Sequence, residues 1–323
     1  MSGAAAVTGP ARPGDLVAAV DCGTNSIRLY VAQVAADGSL VELERRLHLT
    51  RLGQGVDATG RFDPEALSRT LAGLSDFAAQ LDALRVGRVR VVATSAARDA
   101  ANREEFFRGV LDRFGVPAEI ISGQEEARLS YLGAVVALGR LPEPVMVMDI
   151  GGGSTELVVG SGRQVEAAVS LDMGSVRVRE RFLATDPPTD AEVDAAAAYI
   201  DTLLDGSAID FASVRSWVGV GGTATSIAAL VHGLQVYDRA IVHGSTVALG
   251  DLETLTARLL AMPVPQVTAL PTMEPGRADV ICAGALICRQ VGRRVARDML
   301  VSEADILDGI VLGLAGGDQR GAP

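Results

Sequence analysis

The sequence predicts a duplicated α/β protein, two domains that each hold a mixed sheet covered by helices. Three observations carry this. A phrase occurs twice: Asp21-Cys22-Gly23-Thr24-Asn25-Ser26-Ile27-Arg28-Leu29-Tyr30-Val31 is echoed by Asp149-Ile150-Gly151-Gly152-Gly153-Ser154-Thr155-Glu156-Leu157-Val158-Val159, and both read Asp-x-Gly-x-x-Ser-x-x-Leu-x-Val. Each copy joins two apolar runs, the pattern of strand, tight polar turn and strand. The chain has 323 residues, which at about 150 residues per domain suits two domains. Two matched hairpins a domain's length apart are expected to face one cleft.

The elements follow in order. Strands are expected at Asp15–Asp21, Ile27–Ala35 and Leu40–Arg51, then a loop bounded by Gly53 and Gly55. Asp63-Pro64-Glu65 reads as an N-cap with Pro at the first helical position. That helix runs to about Leu84 on the apolar positions Leu67, Leu71, Leu74, Phe77, Ala78 and Leu81. Val89–Ala93 is a short buried strand. The polar turn Thr94–Arg98 follows it, then a helix from about Arg103 to Phe114 and a strand at Ala118–Ile121. A helix from about Glu125 to Leu138 precedes the second hairpin and a strand at Gln164–Ser170. Helices are expected near Ser175–Leu183 and Asp190–Leu204, a strand at 217–220, and a helix from Gly221 to Leu234. Two more lie near Thr246–Ala261 and Pro275–Arg297, and a last one at about Glu303–Leu314. The domain boundary falls at Ser122–Glu126, and the last helix is expected to return to the first domain. Domain I is then 15–124 with about 303–315, and domain II is 125–302. Residues 1–14 and 316–323 read as flexible tails.

The repeated turn carries chemistry. Glycine lets a ligand approach the backbone closely, and successive N–H groups in such a turn form an anion-binding concavity. Asn25, Ser26, Gly152, Gly153, Ser154 and Thr155, with Gly23, Thr24 and Gly151 in the same turns, are therefore candidate phosphate contacts. The Asp that opens each copy repels phosphate, but serves a divalent cation that also touches it. Gly221-Gly222-Thr223 at a helix start is a further candidate nest. Bulk composition fits an enzyme. Hydrophobic residues make up 48% of the chain, enough for sizeable cores. The net charge of −11 argues against a protein that coats nucleic acid or lies on a membrane. There is no Lys, so Walker-A and Schiff-base chemistry are excluded. Cys22, Cys282 and Cys288 form no CxxC and read as reduced thiols of a cytoplasmic protein. The N-terminus lacks the pattern of a signal peptide, and no run of about 18 apolar residues is present.

Four pieces in this order and spacing resemble the exopolyphosphatase/guanosine pentaphosphate phosphohydrolase family, Ppx/GppA: Asp21–Ser26, Ala93–Arg98, Ile121–Arg128 and Asp149–Glu156. Gly219–Thr223, Arg277–Ile281, Val301–Glu303 and Asp308-Gly309 also match. The resemblance covers nearly the whole chain outside the tails and corresponds to a short, two-domain form. It implies duplicated ribonuclease-H-like domains, as in actin, Hsp70 and sugar kinases, with an interdomain cleft. It implies Mg2+-dependent removal of the terminal phosphate of a phosphoanhydride chain, with Mn2+ as an option. It places the water-activating carboxylate at Glu126, metal ligands at Asp149 and Glu156 with Asp21 as a third, and phosphate contacts at Arg28 and Arg98. Neighbours on a helix point about 100° apart, so only one of Glu125 and Glu126 faces the cleft. The substrate reads as inorganic polyphosphate, in short chains since additional helical domains are lacking. Guanosine pentaphosphate, which would tie the protein to the stringent response, is the alternative. A kinase of the same superfamily and a non-catalytic polyphosphate or alarmone sensor are more remote. Gly221–Thr223 is open between phosphate and nucleoside, and the oligomeric state is open, with a homodimer as one option.

Overall fold

The computed structural model describes residues 11–316. Residues 1–10 and 317–323, where most of the two expected tails fall, lie outside the described residues. The chain divides into two compact units, one running to Ser122 and resuming at Ile306, the other spanning Gly123–Asp305.

The first unit begins with β1 (Leu16–Cys22), β2 (Ser26–Val34) and β3 (Leu40–Leu49), then α1 (Val56–Thr59), α2 (Pro64–Leu84), β4 (Arg88–Ala93), α3 (Ser95–Asp99), α4 (Arg103–Phe114) and β5 (Ala118–Ile120). Its sheet has the order β3-β2-β1-β4-β5. The hairpin strands are antiparallel, while β1, β4 and β5 run parallel. α2 starts as its sequence dictates: the Asp63 side chain accepts from Ala66 N, and Pro64 needs no partner for a missing N–H. Its stripe Leu67, Leu74, Phe77 and Leu81 packs with Phe106 and Val110 of α4 on Val20, Ile27 and Leu29 of the sheet.

The second unit runs α5 (Gly123–Leu138), β6 (Val145–Ile150), β7 (Thr155–Ser161), β8 (Gln164–Leu171), α6 (Ser175–Phe182), α7 (Asp190–Asp205), β9 (Ser216–Val220), α8 (Gly221–Val231), α9 (Arg239–Val242), β10 (Thr246–Val247), α10 (Leu249–Ala261), α11 (Val264–Thr268), α12 (Ile281–Val295) and β11 (Met299–Val301). The sheet order is β10-β11-β9-β6-β7-β8. An antiparallel β6-β7-β8 meander beside parallel β6-β9-β11 repeats the first unit's plan, so the repeat in the sequence is a repeat of topology. β6 is apolar from Val145 to Met148 because both faces are covered there. Met146, Met148 and Trp217 pack under α6, α7, α10 and α12. Val145, Val147, Val158 and Val220 pack under Ala127, Tyr131 and Ala134 of α5. The last helix, α13 (Ile306–Gly316), belongs to the first unit and packs on β1 and β2.

The duplicated α/β class is thus the observed one, and the long elements lie where periodicity put them. The short ones differ. Thr246 and Val247 form a strand paired with Leu300 and Met299, not the start of a helix; two residues carry no period to read. Ser95–Asp99 closes one helical turn where a polar turn was expected, and α1, α9 and α11 were not anticipated. The expected helix 275–297 opens as a 3-10 turn at Pro275–Arg277, and α12 begins only at Ile281. The final helix begins three residues later than expected, at Ile306. Cys22, Cys282 and Cys288 are free and buried, and burial raises all three thiol pKa values. Among the described residues no helix is long and apolar enough to cross a membrane.

Candidate active site

The two repeated turns have one geometry. Gly23 N donates to Ser26 O at 2.9 Å, and Gly151 N donates to Ser154 O at 3.0 Å. A Cβ on either glycine would lie 3.2 Å from that serine oxygen, which accounts for glycine at both positions. Each turn is also held from behind by its carbonyls. Thr24 O accepts from Gly53 N at 2.8 Å, and Asn25 O from Thr50 N at 3.1 Å and Arg51 N at 2.9 Å. In the second unit the first turn of α6 does this. Gly151 O accepts from Ser175 N at 2.8 Å, Gly152 O from Val176 N at 2.9 Å, and Gly153 O from Gly174 N at 3.2 Å. A trans peptide directs its C=O and the following N–H oppositely. Tying these carbonyls behind the turn therefore directs the N–H groups of Gly152, Gly153 and Ser154 to the other side, as an anion nest requires. Those of Asn25 and Ser26 are directed likewise.

Three hydroxyls in these turns bond within the protein. Thr155 Oγ1 donates to Met173 O at 2.8 Å, Thr24 Oγ1 pairs with Ser95 Oγ at 2.8 Å, and Ser154 Oγ donates to Glu156 at 2.8 Å.

A row of polar side chains crosses the second sheet beside its nest. Asp149, Glu156 and Ser170 stand opposite one another on β6, β7 and β8, on the face covered by α5. Ser130 of α5 donates to Asp149 Oδ2 at 3.0 Å, and Ser170 donates to Glu156 Oε1 at 2.7 Å. Ser170 also meets the start of α5, since a Cβ on Gly123 would lie 2.3 Å from its own Cβ. Glu126 is four residues before Ser130 and so lies on the same face of α5 as Ser130. Glu125 is committed elsewhere: Arg128 grips its carboxylate with Nε at 2.8 Å and Nη2 at 2.9 Å.

The corresponding row in the first unit is neutralised within itself. Arg28 stands opposite Asp21 and donates to Asp21 Oδ2 from Nε at 3.1 Å and Nη2 at 2.7 Å. The metal ligand expected at Asp21 and the phosphate contact expected at Arg28 are therefore partners of each other. Arg98 lies in the last turn of the short helix α3 and donates from Nη1 to Ile121 O at 3.0 Å.

Gly221-Gly222-Thr223 forms the first turn of α8. Gly221 has φ +75°, and a Cβ there would lie 2.7 Å from Asp149 Oδ1. Thr223 Oγ1 donates to Ile150 O at 3.1 Å. The guanidinium of Arg277 lies against Gly222, where a Cβ would be 1.8 Å from Nη1. Glu274 lies 3.9 Å from Arg277 Nη2, and the guanidinium stands at the N-terminus of α8, where the helix dipole also favours an anion. The motif of Arg277 matched a known pattern, but nothing local to it announced a role. Ser130 and Ser170 were missed too, since a serine in a helix or strand carries no signal of its own. Gly221→Ala should cost stability through the left-handed backbone and displace Asp149, a loss of about 1–3 kcal/mol. Urea unfolding measures it, and an unchanged midpoint would remove Gly221 from this role.

The donor set fits a divalent cation. Asp149 and Glu156 are like charges directly opposite on one face, which is destabilising unless a positive charge joins them. Glu156 is only 1% exposed. Among the described residues no three His, Cys, Asp or Glu side chains gather as a metal cluster. Two carboxylates completed by phosphate oxygens and water are nonetheless a normal Mg2+ set.

Comparison with known proteins identifies the family. The chain matches the Ppx/GppA phosphatase family over residues 30–315. It is 47% identical over 315 residues to exopolyphosphatase 2 of Mycobacterium tuberculosis, covering 93% of this chain and 98% of that protein. Among solved structures, an exopolyphosphatase-like protein is 40% identical with a TM-score of 0.89, covering 93% of this chain and 98% of the other. The Aquifex aeolicus member of the Ppx/GppA family is 33% identical with a TM-score of 0.79, covering 93% and 97%.

Proposed function

The chain belongs to the Ppx/GppA phosphatase family, and on that premise we propose that it is an exopolyphosphatase, a hydrolase that removes the terminal phosphate of inorganic polyphosphate. The observation that carries this reading is the row Asp149–Glu156–Ser170 lying beneath the helix that bears Glu126 and beside the Gly151–Ser154 nest. Phosphoanhydride hydrolysis needs a positioned water, donors on the transferring phosphoryl group and an electrostatic counterweight to its charge.

Each need has a candidate. Glu126 takes the proton of the attacking water. The first turn of α5 holds that carboxylate at the positive end of a helix, which favours its ionised form. The N–H groups of Gly152, Gly153 and Ser154 donate to phosphate oxygens, and losing one aimed donor of this kind costs about 10²–10³ in rate. Arg277 and the N-terminus of α8 hold a neighbouring phosphate of the chain. Asp149 and Glu156 would hold Mg2+, with Ser130 and Ser170 fixing their orientation. Mg2+, when bound, neutralises charge on the phosphate oxygens. The first unit's turn, Gly23–Ser26, is a second nest of the same design.

Short chains are the proposed preference. A net charge of −11 opposes the approach of a long polyanion, so binding relies on local donors that grip one end. Phosphate release from tripolyphosphate, long-chain polyphosphate, guanosine pentaphosphate and ATP, each with and without Mg2+, tests the whole reading. Tripolyphosphate is expected to be cleaved fastest, and only with the metal. Faster release from long chains would overturn the length preference. Faster release from guanosine pentaphosphate would move the substrate to that nucleotide, and no release from any of the four would end the assignment.

A further inference from the structure

Arg177 is a buried cation that the proposed chemistry leaves without a task. It lies in the first turn of α6 with its side chain 10% exposed, and its Nε donates to Gly153 O at 2.7 Å. Asp172 approaches its guanidinium only to 3.9 Å and is itself 75% exposed, so solvent screens most of that attraction. Burying a guanidinium has a large desolvation cost. The adjoining Arg179 and Arg181 of the same helix donate to Thr185 O and Tyr199 Oη.

Comparison of the two turns shows what this cation adds. In the first unit Thr24 O and Asn25 O are held by backbone N–H groups of 50–53. In the second unit backbone N–H groups of 174–177 hold the carbonyls of Gly151, Gly152 and Gly153 as well. The tether already exists, yet a guanidinium is placed on Gly153 O in addition. Gly153 C=O and Ser154 N–H share one peptide plane. A positive charge on the carbonyl polarises that peptide and makes its N–H a stronger donor. The charge also lies beneath a turn flanked by Asp149 and Glu156, whose carboxylates otherwise oppose an incoming anion.

We propose that Arg177 is a positioning residue whose buried charge sets the phosphate affinity of the Gly151–Ser154 nest, acting through the Gly153–Ser154 peptide. This rests on the reading of that nest as a phosphate site. The test is calorimetric binding of inorganic tripolyphosphate in metal-free buffer, with kcat and KM measured separately in Mg2+. R177Q keeps a donor for Gly153 O but loses the charge. It is expected to weaken tripolyphosphate binding about tenfold, in line with the loss of a charge-assisted bond, and to raise KM by a similar factor with kcat within about twofold. R177K keeps the charge and should retain affinity within about threefold, and it reads the same quantity should R177Q fail to fold. Wild-type affinity in R177Q overturns the proposal. So does a fall in kcat at constant KM, or a tenfold loss in R177K, which would assign the effect to fork geometry. Failure of the underlying phosphate reading shows differently, as wild-type protein that neither binds nor cleaves tripolyphosphate.

Discussion

Replacing Glu126 by Gln is expected to lower kcat by about 10²–10⁴, the usual contribution of a positioned general base. Tripolyphosphate binding should change by no more than about twofold, because the interaction removed is made only as the reaction proceeds. Gln has nearly the size of Glu and remains in the first turn of α5, so it loses the ionisable group and little else. Glu125→Gln is the control. The Glu125 carboxylate is held by Arg128 in an i,i+3 pair, and its loss should cost at most about 0.5 kcal/mol of stability with kcat near wild type. Steady-state kinetics on both variants decides the assignment. A large fall in Glu125→Gln with normal turnover in Glu126→Gln would exchange the two roles.

Glu156→Gln is expected to abolish Mg2+ activation while leaving the metal-free protein as stable as wild type or more so. The two effects have opposite signs because they share one cause. Asp149 and Glu156 stand opposite each other on β6 and β7, a like-charge pairing that a bound cation would relieve. Glutamine removes the repulsion and keeps an acceptor for Ser154 and Ser170, which donate to Oε1 at 2.8 Å and 2.7 Å. Wild-type protein should gain about 2.7 kcal/mol of stability at a Mg2+ concentration one hundred times its dissociation constant, and the variant should gain almost none. Calorimetric melting with and without Mg2+ measures this. An equal metal-induced shift in both proteins would remove Glu156 from the ligand set. A lower melting temperature of the metal-free variant would mean that Glu156 is held by the fold and needs no cation.

Much of this architecture is readable from residues alone. α2 and α4 have their ends written beside them: Asp63-Pro64 opens the first, and Gly115 with φ +67° closes the second. Three to six turns of apolar stripe then leave one choice of face. The apolar run Val145–Met148 of β6 is continuous because both its faces are covered, and the repeated turn is legible because glycine and serine sit where a hydrogen bond between positions three apart demands them. The short elements escape such reading. β10 exists only because Met299 and Leu300 lie beside it, and no local pattern encodes a partner fifty residues away.

The functional row divides the same way. Composition and spacing alone determined that this chain folds as two copies of one α/β plan, that each copy presents a glycine turn suited to an anion, and that the second copy carries Glu where the first carries Arg. These are properties of neighbours in the chain, fixed by dihedral freedom and side-chain period. Only the three-dimensional structure decided that Arg28 is bound to Asp21, that Ser170 reaches Glu156 from the next strand, that Arg177 stands at the Gly151–Ser154 turn and that Arg277 stands at the start of α8. Except for the hairpin pair Asp21–Arg28, the contacts that cross between elements join residues far apart in the chain, brought together by sheet register or helix docking that follows from burial of the whole core, so no short window of sequence contains them.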